Sequence, residues 1–256
     1  MSPAKILEFT LKPLSLLLLV LLCTARVTAQ DSSNRTLLEF KYGFHLPVAD
    51  MKDRFGSNNA IGFSISRVNL KSTLLAGVEG SFLFGSTVKE DVLVNIRAFD
   101  GTIIGRDGAA ADVNLKERGF YTGLFVGKVI KLTKAENNLT GIRLQAGGGF
   151  LQHKIRVQDN SRNVVAIEKE KLPGYDRLTN GPGIHLAAGF QYQNPQYNFQ
   201  FSIVGDLYGA RTASRRDFDN ATGGYLAAKR TDILTGLTIS YVVSLSRATS
   251  AENIYY

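Results

Sequence analysis

The sequence predicts an all-β fold, a single eight-stranded antiparallel up-and-down barrel, on three observations. Apolar and polar residues alternate with period two in eight segments, the links between those segments are alternately long and short, and no apolar run after residue 30 is long enough for a membrane helix. The segments lie near residues 36–47, 60–68, 72–86, 117–132, 139–157, 182–193, 197–210 and 231–245.

In the first segment Phe40, Tyr42 and Phe44 oppose Glu39 and Lys41. In the third, Leu74, Val78 and Phe82 oppose Glu79, and in the sixth Ile184, Leu186 and Phe190 oppose His185 and Gln191. The seventh sets Tyr197, Phe199, Phe201, Ile203 and Leu207 against Asn198, Gln200, Ser202 and Asp206. The eighth sets Ile233, Leu237, Ile239, Tyr241 and Val243 against Gly236, Thr238 and Ser240. The fourth, "FYTGLFVGKVI", is apolar on both faces.

Links 48–59, 87–116, 158–181 and 211–230 are long, whereas "NLK", "TKAENN" and "NPQ" are short. A transmembrane barrel with short periplasmic turns, long external loops and both termini inside produces this alternation. A soluble lipocalin-like barrel has the same strand count with its faces inverted, and parity alone does not separate the two. The aromatic face favours the membrane form, because Tyr42, Tyr192, Tyr197 and Tyr241 fall toward strand ends as an interfacial girdle requires, and a soluble lipocalin-like periplasmic ligand binder stays as the alternative. The charged face then points inward, and Glu39, Lys41, Glu79, Arg143, His185 and Asp206 are expected to pair as a polar network. An eight-stranded interior is just wide enough for side chains to fill.

The chain opens with Lys5 and Lys12 ahead of "LSLLLLVLL" and "CTARVTAQ", which reads as a secretory signal peptide over 1–29 with a mature start at Gln30. Residues 30–246 are assigned to the barrel and 247–256 to a short periplasmic tail. The one cysteine, Cys23, lies in the signal, so the mature chain has no disulfide, thiolate nucleophile or Cys-ligated zinc. The net charge of +8 falls to about +6 without the signal, a basic excess that suits anionic lipid or polysaccharide rather than nucleic acid.

Gly147, Gly148 and Gly149 interrupt the fifth segment. They match neither G-x-x-x-x-G-K-[ST] nor a G-x-G-x-x-G turn opening a helix, so a phosphate cradle is set aside. Glycine here either relieves crowding in a narrow lumen or permits a bulge, and a bulge would reverse the facing of everything after Gly149.

"FLQHKIRVQDN", "GYDRLTNGPGIHLAAGFQY", "DGAAADVNLKERGF" and "VADMKDRFGSNNAIGFSIS" resemble recurrent elements of a family of small outer-membrane β-barrel proteins of Bacteroidota. The resemblance implies an outer-membrane location and a host with surface-directed type IX secretion, with which association is conceivable. It transfers no catalytic residue.

The competing class is an outer-membrane lipid A-modifying enzyme, which needs a hydroxyl nucleophile or a base near the outer rim. His45, His153 and His185 all map toward external strand ends, but no serine or carboxylate stands at a telling spacing and G-x-S-x-G is absent. No cofactor or metal is expected. The Asp spacing of "DGTIIGRDGAAADVN" lacks the calcium-loop order, and sequons at Asn34, Asn138 and Asn220 carry no meaning in a bacterium.

The loops offer binding. Arg211, Arg215, Arg216, Lys229 and Arg230 suit lipopolysaccharide phosphates, with pairing to Asp217, Asp219 and Asp232 as the alternative. In "KLPGYDRLTNGPG", Tyr175 is expected to cap the lumen while Asp176 holds Arg177. The expected role is a non-enzymatic protein of envelope structure, assembly or surface interaction, with outer-membrane lipids, lipopolysaccharide and other envelope proteins as partners.

Overall fold

A computed structural model describes residues 34–135, 138–194, 199–225 and 229–245. The signal segment with Cys23, Tyr197, Asn198 and the tail lie outside the described residues. Eight antiparallel strands close into one ring: β1 (Asn34–Ala49), β2 (Asn58–Asn69), β3 (Leu74–Gly85), β4 (Val113–Lys131), β5 (Gly141–Asp159), β6 (Thr179–Asn194), β7 (Phe199–Ser214) and β8 (Lys229–Ser244). Each strand pairs with its sequence neighbour, and β1 meets β8 in unbroken register from Leu37↔Ser244 to Ala49↔Asp232.

The faces are sorted as a membrane barrel sorts them. Leu46, Phe44, Tyr42 and Phe40 on β1 stand exposed outside, while Leu37, Glu39, Gly43 and His45 at the alternate positions are buried. From Leu38 to Val48 this apolar strip runs about 33 Å along the strand, at about 3.3 Å per residue. At the usual tilt of about 40° that is about 25 Å of bilayer. Toward the turn end, Tyr192, Phe199, Phe201 and Tyr241 touch ring to ring at 5.5–5.8 Å and form a girdle. Tyr42, expected in that role, instead lies at mid-strand and donates its hydroxyl to Asn59 Oδ1 at 3.1 Å.

Several strands extend further than the alternation suggests. β4 begins at Val113 rather than 117, β6 at Thr179 rather than 182, and β7 continues to Ser214 rather than 210. Beyond the bilayer edge the ladder persists while its outward residues turn polar, so the apolar signal stops before the hydrogen bonds do. Pro182 opens no strand; the β6–β7 register passes it with Gly181 and Pro182 unpaired between Asn180↔Ala213 and Gly183↔Ala210.

No bulge occurs at the glycine run. β4 and β5 pair one to one from Val113↔Asp159 to Lys131↔Gly141, so parity holds through Gly149 and His153 faces inward. A Cβ on inward-facing Gly149 would stand 2.2 Å from the Thr122 carbonyl oxygen, and one on Gly147 2.7 Å from that of Leu124. Outward-facing Gly148 has open space. Crowding inside the bend is therefore the reason for glycine.

Gly149→Ala is expected to lower barrel stability by about 1–3 kcal/mol, the usual cost of overpacking. Gly148→Ala should leave it within about 0.5 kcal/mol. The temperature at which the folded band converts to the unfolded one on a denaturing gel measures both, and equal shifts would remove the crowding argument.

Candidate functional site

The lumen is built in three layers. At the turn end Leu37, Val68, Leu70, Leu75, Phe125, Val129, Leu139 and Val242 fill it with hydrocarbon. The two-sided apolar character of β4 is thereby explained, since Tyr121, Phe125 and Val129 point inward while Phe120, Leu124 and Val126 face out.

The middle layer brings together all six side chains of the expected network. Lys41 Nζ donates to Glu79 Oε2 at 2.8 Å, and Arg143 Nη1 to Glu39 Oε1 at 2.6 Å. Gln145 joins the two pairs, accepting from Arg143 Nη2 at 3.0 Å and donating to Glu79 at 3.1 Å. His185 is clamped between carboxylates, with Nδ1 2.7 Å from Glu79 and Nε2 3.0 Å from Asp206. Both ring nitrogens face carboxylate oxygens, an arrangement that suits a doubly protonated ring. Three carboxylates thus meet Lys41, Arg143 and His185. Tyr208 stacks on the His185 ring at 4.0 Å and 2°, and Tyr121 meets Tyr208 edge-on at 5.0 Å. The space left among these groups is ≈ 10 Å³, about what a single water requires.

The histidines do not sit at an accessible rim. His45, His153 and His185 are 1%, 0% and 2% exposed, all inside the ring. His45 Nε2 lies 3.6 Å from Asp206, and His153 Nε2 lies 2.8 Å from Asp232 Oδ2 under the edge of Phe55. Nucleophilic catalysis needs a hydroxyl directed at a base. The Thr212 hydroxyl is directed at Asp232, the carboxylate that also holds His153, and all three side chains are buried away from the surface. Among the described residues no three His, Cys, Asp or Glu side chains converge as metal ligands.

The third layer is the external cap, which sequence reading treats as loops and the structure shows as packed. Its four segments are 50–57 with the one-turn helix α1 (Met51–Arg54), 86–112, 160–178 and 215–225. Met51, Phe55, Val92, Leu93, Ile103, Val164, Ile167 and Tyr175 bury against Leu83, Leu151, Ile155 and Leu234 of the strands below. Tyr175 thus reaches the lumen mouth from above.

Over this floor runs a chain of ion pairs with one member from each segment. Arg54 Nε donates to Glu90 Oε2 at 2.7 Å, Glu90 Oε1 takes Arg177 Nε at 3.1 Å, and Arg177 Nη1 pairs with Asp219. Arg54 Nη1 also reaches Thr179 Oγ1 at 2.9 Å and the Arg177 carbonyl at 3.2 Å. Burial pulls the Arg54 guanidinium below its ordinary range against the opposing attraction of Glu90. Asn95 fastens the second segment to the fourth through the carbonyls of Asn220 and Ala221.

Two expectations are corrected here. Asp176 does not hold Arg177; it takes a two-pronged grip from Arg216 at 2.5 and 2.8 Å, which raises the Arg216 guanidinium. Arg177 adopts φ +50°, outside the usual range of its residue type, and so turns toward Asp219 and Glu90. Nor are the five basic loop residues alike. Arg216 is taken by Asp176, Arg230 reaches the Asp50 carbonyl and lies 3.5 Å from Asp232, and Arg215 donates to Asn180. Arg211 and Lys229 project outward. Glu90, Arg54 and Asp219 carry the cap, yet no local motif marks them, because their partners lie 36 to 123 residues away.

Comparisons with known proteins add shape alone. The sequence matches no protein-family model, and no curated protein matches it. Among solved structures, Neisserial surface protein A (NspA) aligns over 81% of this chain and 96% of its own, with 10% identity and a TM-score of 0.40. The Yersinia pestis attachment invasion locus protein Ail, in complex with the heparin analogue sucrose octasulfate, covers 82% and 99% with 13% identity and a TM-score of 0.37. OprG from Pseudomonas aeruginosa covers 82% and 95%, with 9% identity and a TM-score of 0.39.

Arg177→Ala should leave Asp219 buried without its cation and cost the cap about 3–5 kcal/mol. Limited proteolysis is expected to cut all four external segments in this variant while the barrel keeps its heat-shifted mobility. Cutting confined to 160–178 would show that the segments are held independently.

Proposed function

We propose that this chain is a non-enzymatic outer-membrane barrel whose sealed lumen is a rigid stem and whose external cap is a surface for interaction. The observation that carries this reading is the layering of the lumen. A charge-balanced layer lies between two hydrocarbon layers and leaves space for about one water, so the interior neither conducts nor binds a ligand.

The outward apolar belt supports insertion, and the signal-like start of the sequence supports export to the outer membrane. Glu39, Lys41, Glu79, Arg143, His185 and Asp206 bind one another across the lumen, which speaks for a structural role. The cap, by contrast, presents Val94, Phe99, Ile104, Phe218 and Tyr225 on a framework fixed by ion pairs. Such a surface meets a partner without first being ordered, so it loses little conformational entropy on binding. A role beside surface-directed secretion in Bacteroidota is the extension of this reading that rests on the resemblance of the sequence phrases.

Two measurements test it together. The protein should run with heat-dependent mobility in the outer-membrane fraction, because a closed ring has no free edge from which to unravel. Purified protein in a planar bilayer should give no stable conductance. A steady porin-like current would refute the sealed lumen, and a soluble band without heat shift would refute the membrane barrel.

A further inference from the structure

The external ends of β4 and β5 carry four outward cations, of which the protein itself leaves Lys116, Lys154 and Arg156 uncompensated. Their register sets Lys116 opposite Arg156 and Arg118 opposite Lys154. All four alternate with inward residues such as Glu117, Gly119, His153 and Ile155, and so face outward. Residues opposite each other in a ladder have Cβ atoms about 5 Å apart, and like charges so placed repel. Successive outward positions on one strand are about 7 Å apart. Two like-charge pairs are therefore stacked on one small patch.

Apart from the attraction between Arg118 and the neighbouring Glu117, the surrounding protein does not answer them. Arg118 donates to the carbonyl of its neighbour Glu117, and among the described residues Lys116, Lys154 and Arg156 make no hydrogen bond or ion pair. The Glu117 carboxylate points inward and takes Asn58 Nδ2 at 3.0 Å. Asp112 is occupied by Asn114 and Asn160, and Asp159 by the backbone N–H groups of Arg162 and Val164.

We propose that this patch binds the phosphate groups of a lipid headgroup in the external leaflet, a proposal that rests on the outer-membrane reading above. Each cross-strand pair offers one guanidinium fork and one ammonium, the combination that suits a phosphate monoester. The headgroup is favoured over a soluble polyanion by what lies directly below. Phe84 is opposite Arg118, Phe82 opposite Phe120, and the Phe120 and Phe150 rings meet at 6.3 Å, so acyl-chain surface begins one outward step beneath the cations. A lipid whose phosphate sits on the patch lays its chains on these rings.

The face continues sideways. Asn180 donates to Gln152 and accepts from Arg215, which leads to a groove of ≈ 390 Å³ where Arg211, Arg215 and Lys229 line the outer side of β6, β7 and β8. On the other side of the ring the corresponding outward residues are Leu46, Val48, Asn59 and Ile61, which bring no cation. The site is one-sided.

The test uses the full folded chain reconstituted in phosphatidylcholine vesicles containing diphosphorylated lipid A or its dephosphorylated form, with lipid retained per protein counted by mass spectrometry. The wild type should retain the phosphorylated form and not the other, less so at high salt. K154Q/R156Q should reduce retention at least about tenfold. The charge-keeping pair K154R/R156K and the distant outward variant R67Q should retain it as the wild type does. Equal retention in K154Q/R156Q, with its heat shift intact, overturns the site and leaves the membrane barrel standing. Displacement of the lipid by an equimolar amount of inorganic pyrophosphate overturns the lipid as ligand in favour of a soluble phosphate. Failure of the wild type to insert overturns the underlying reading instead.

Discussion

The constraint on which the rest of the structure depends is the width of an eight-stranded ring. At that strand number the interior holds side chains and little else, so every inward position must be filled by a group that tolerates burial. Glycine appears where two backbones leave no space for a Cβ, as at Gly149 against Thr122. Charged residues appear with partners, although Glu117 is hydrogen-bonded by the neutral Asn58 side chain alone. Glu39, Glu79 and Asp206 are removed from water as fully as any core leucine, and each is met by Arg143, Lys41 or His185. An unpaired charge in this position would cost several kcal/mol.

The same constraint determines the architecture of the two ends. A polar layer open to water at both sides would hydrate and exchange ions, whereas hydrocarbon above and below keeps its pairs dry and mutually strong. The turn end obtains its hydrocarbon from the strands themselves, through Leu75, Phe125 and Val242. The external end is wider in chain but poorer in inward apolar strand residues, and takes Met51, Phe55, Val92, Leu93 and Tyr175 from the connections. The external segments are therefore a lid with a core. Their ion-pair chain fixes that lid laterally, since Arg54, Glu90, Arg177 and Asp219 each belong to a different connection.

What was legible in the sequence follows the period-two signal. Strand number, order and facing could be read wherever one face meets lipid, and the grouping of Glu39, Lys41, Glu79, Arg143, His185 and Asp206 on the inner face follows from parity alone. The strand ends leave no apolar signal where the outward residues turn polar, as at Val113–Lys116 and Thr179. The cap was not legible, because Glu90 has no relation to Arg54 or Arg177 that spacing records. The Asp176 partner is hidden for a related reason: adjacency in sequence points to Arg177, while the positive φ of Arg177 turns it away and leaves Asp176 for Arg216.

The contrast between inside and outside then becomes informative. The lumen shows a chain in which buried cations are matched to anions at hydrogen-bonding distance, and the cap repeats that economy for Arg54, Arg177 and Arg216. The outer rim of β4 and β5 does the opposite, placing Lys116 against Arg156 and Arg118 against Lys154 with nearby carboxylates already engaged. Water and salt soften such repulsion where charges are solvated. At the edge of an apolar belt they soften it less, and the cations there gain most from an anion that arrives with the membrane. Charge matched within the fold holds the barrel together; charge left over at its external edge is available to hold it in the leaflet.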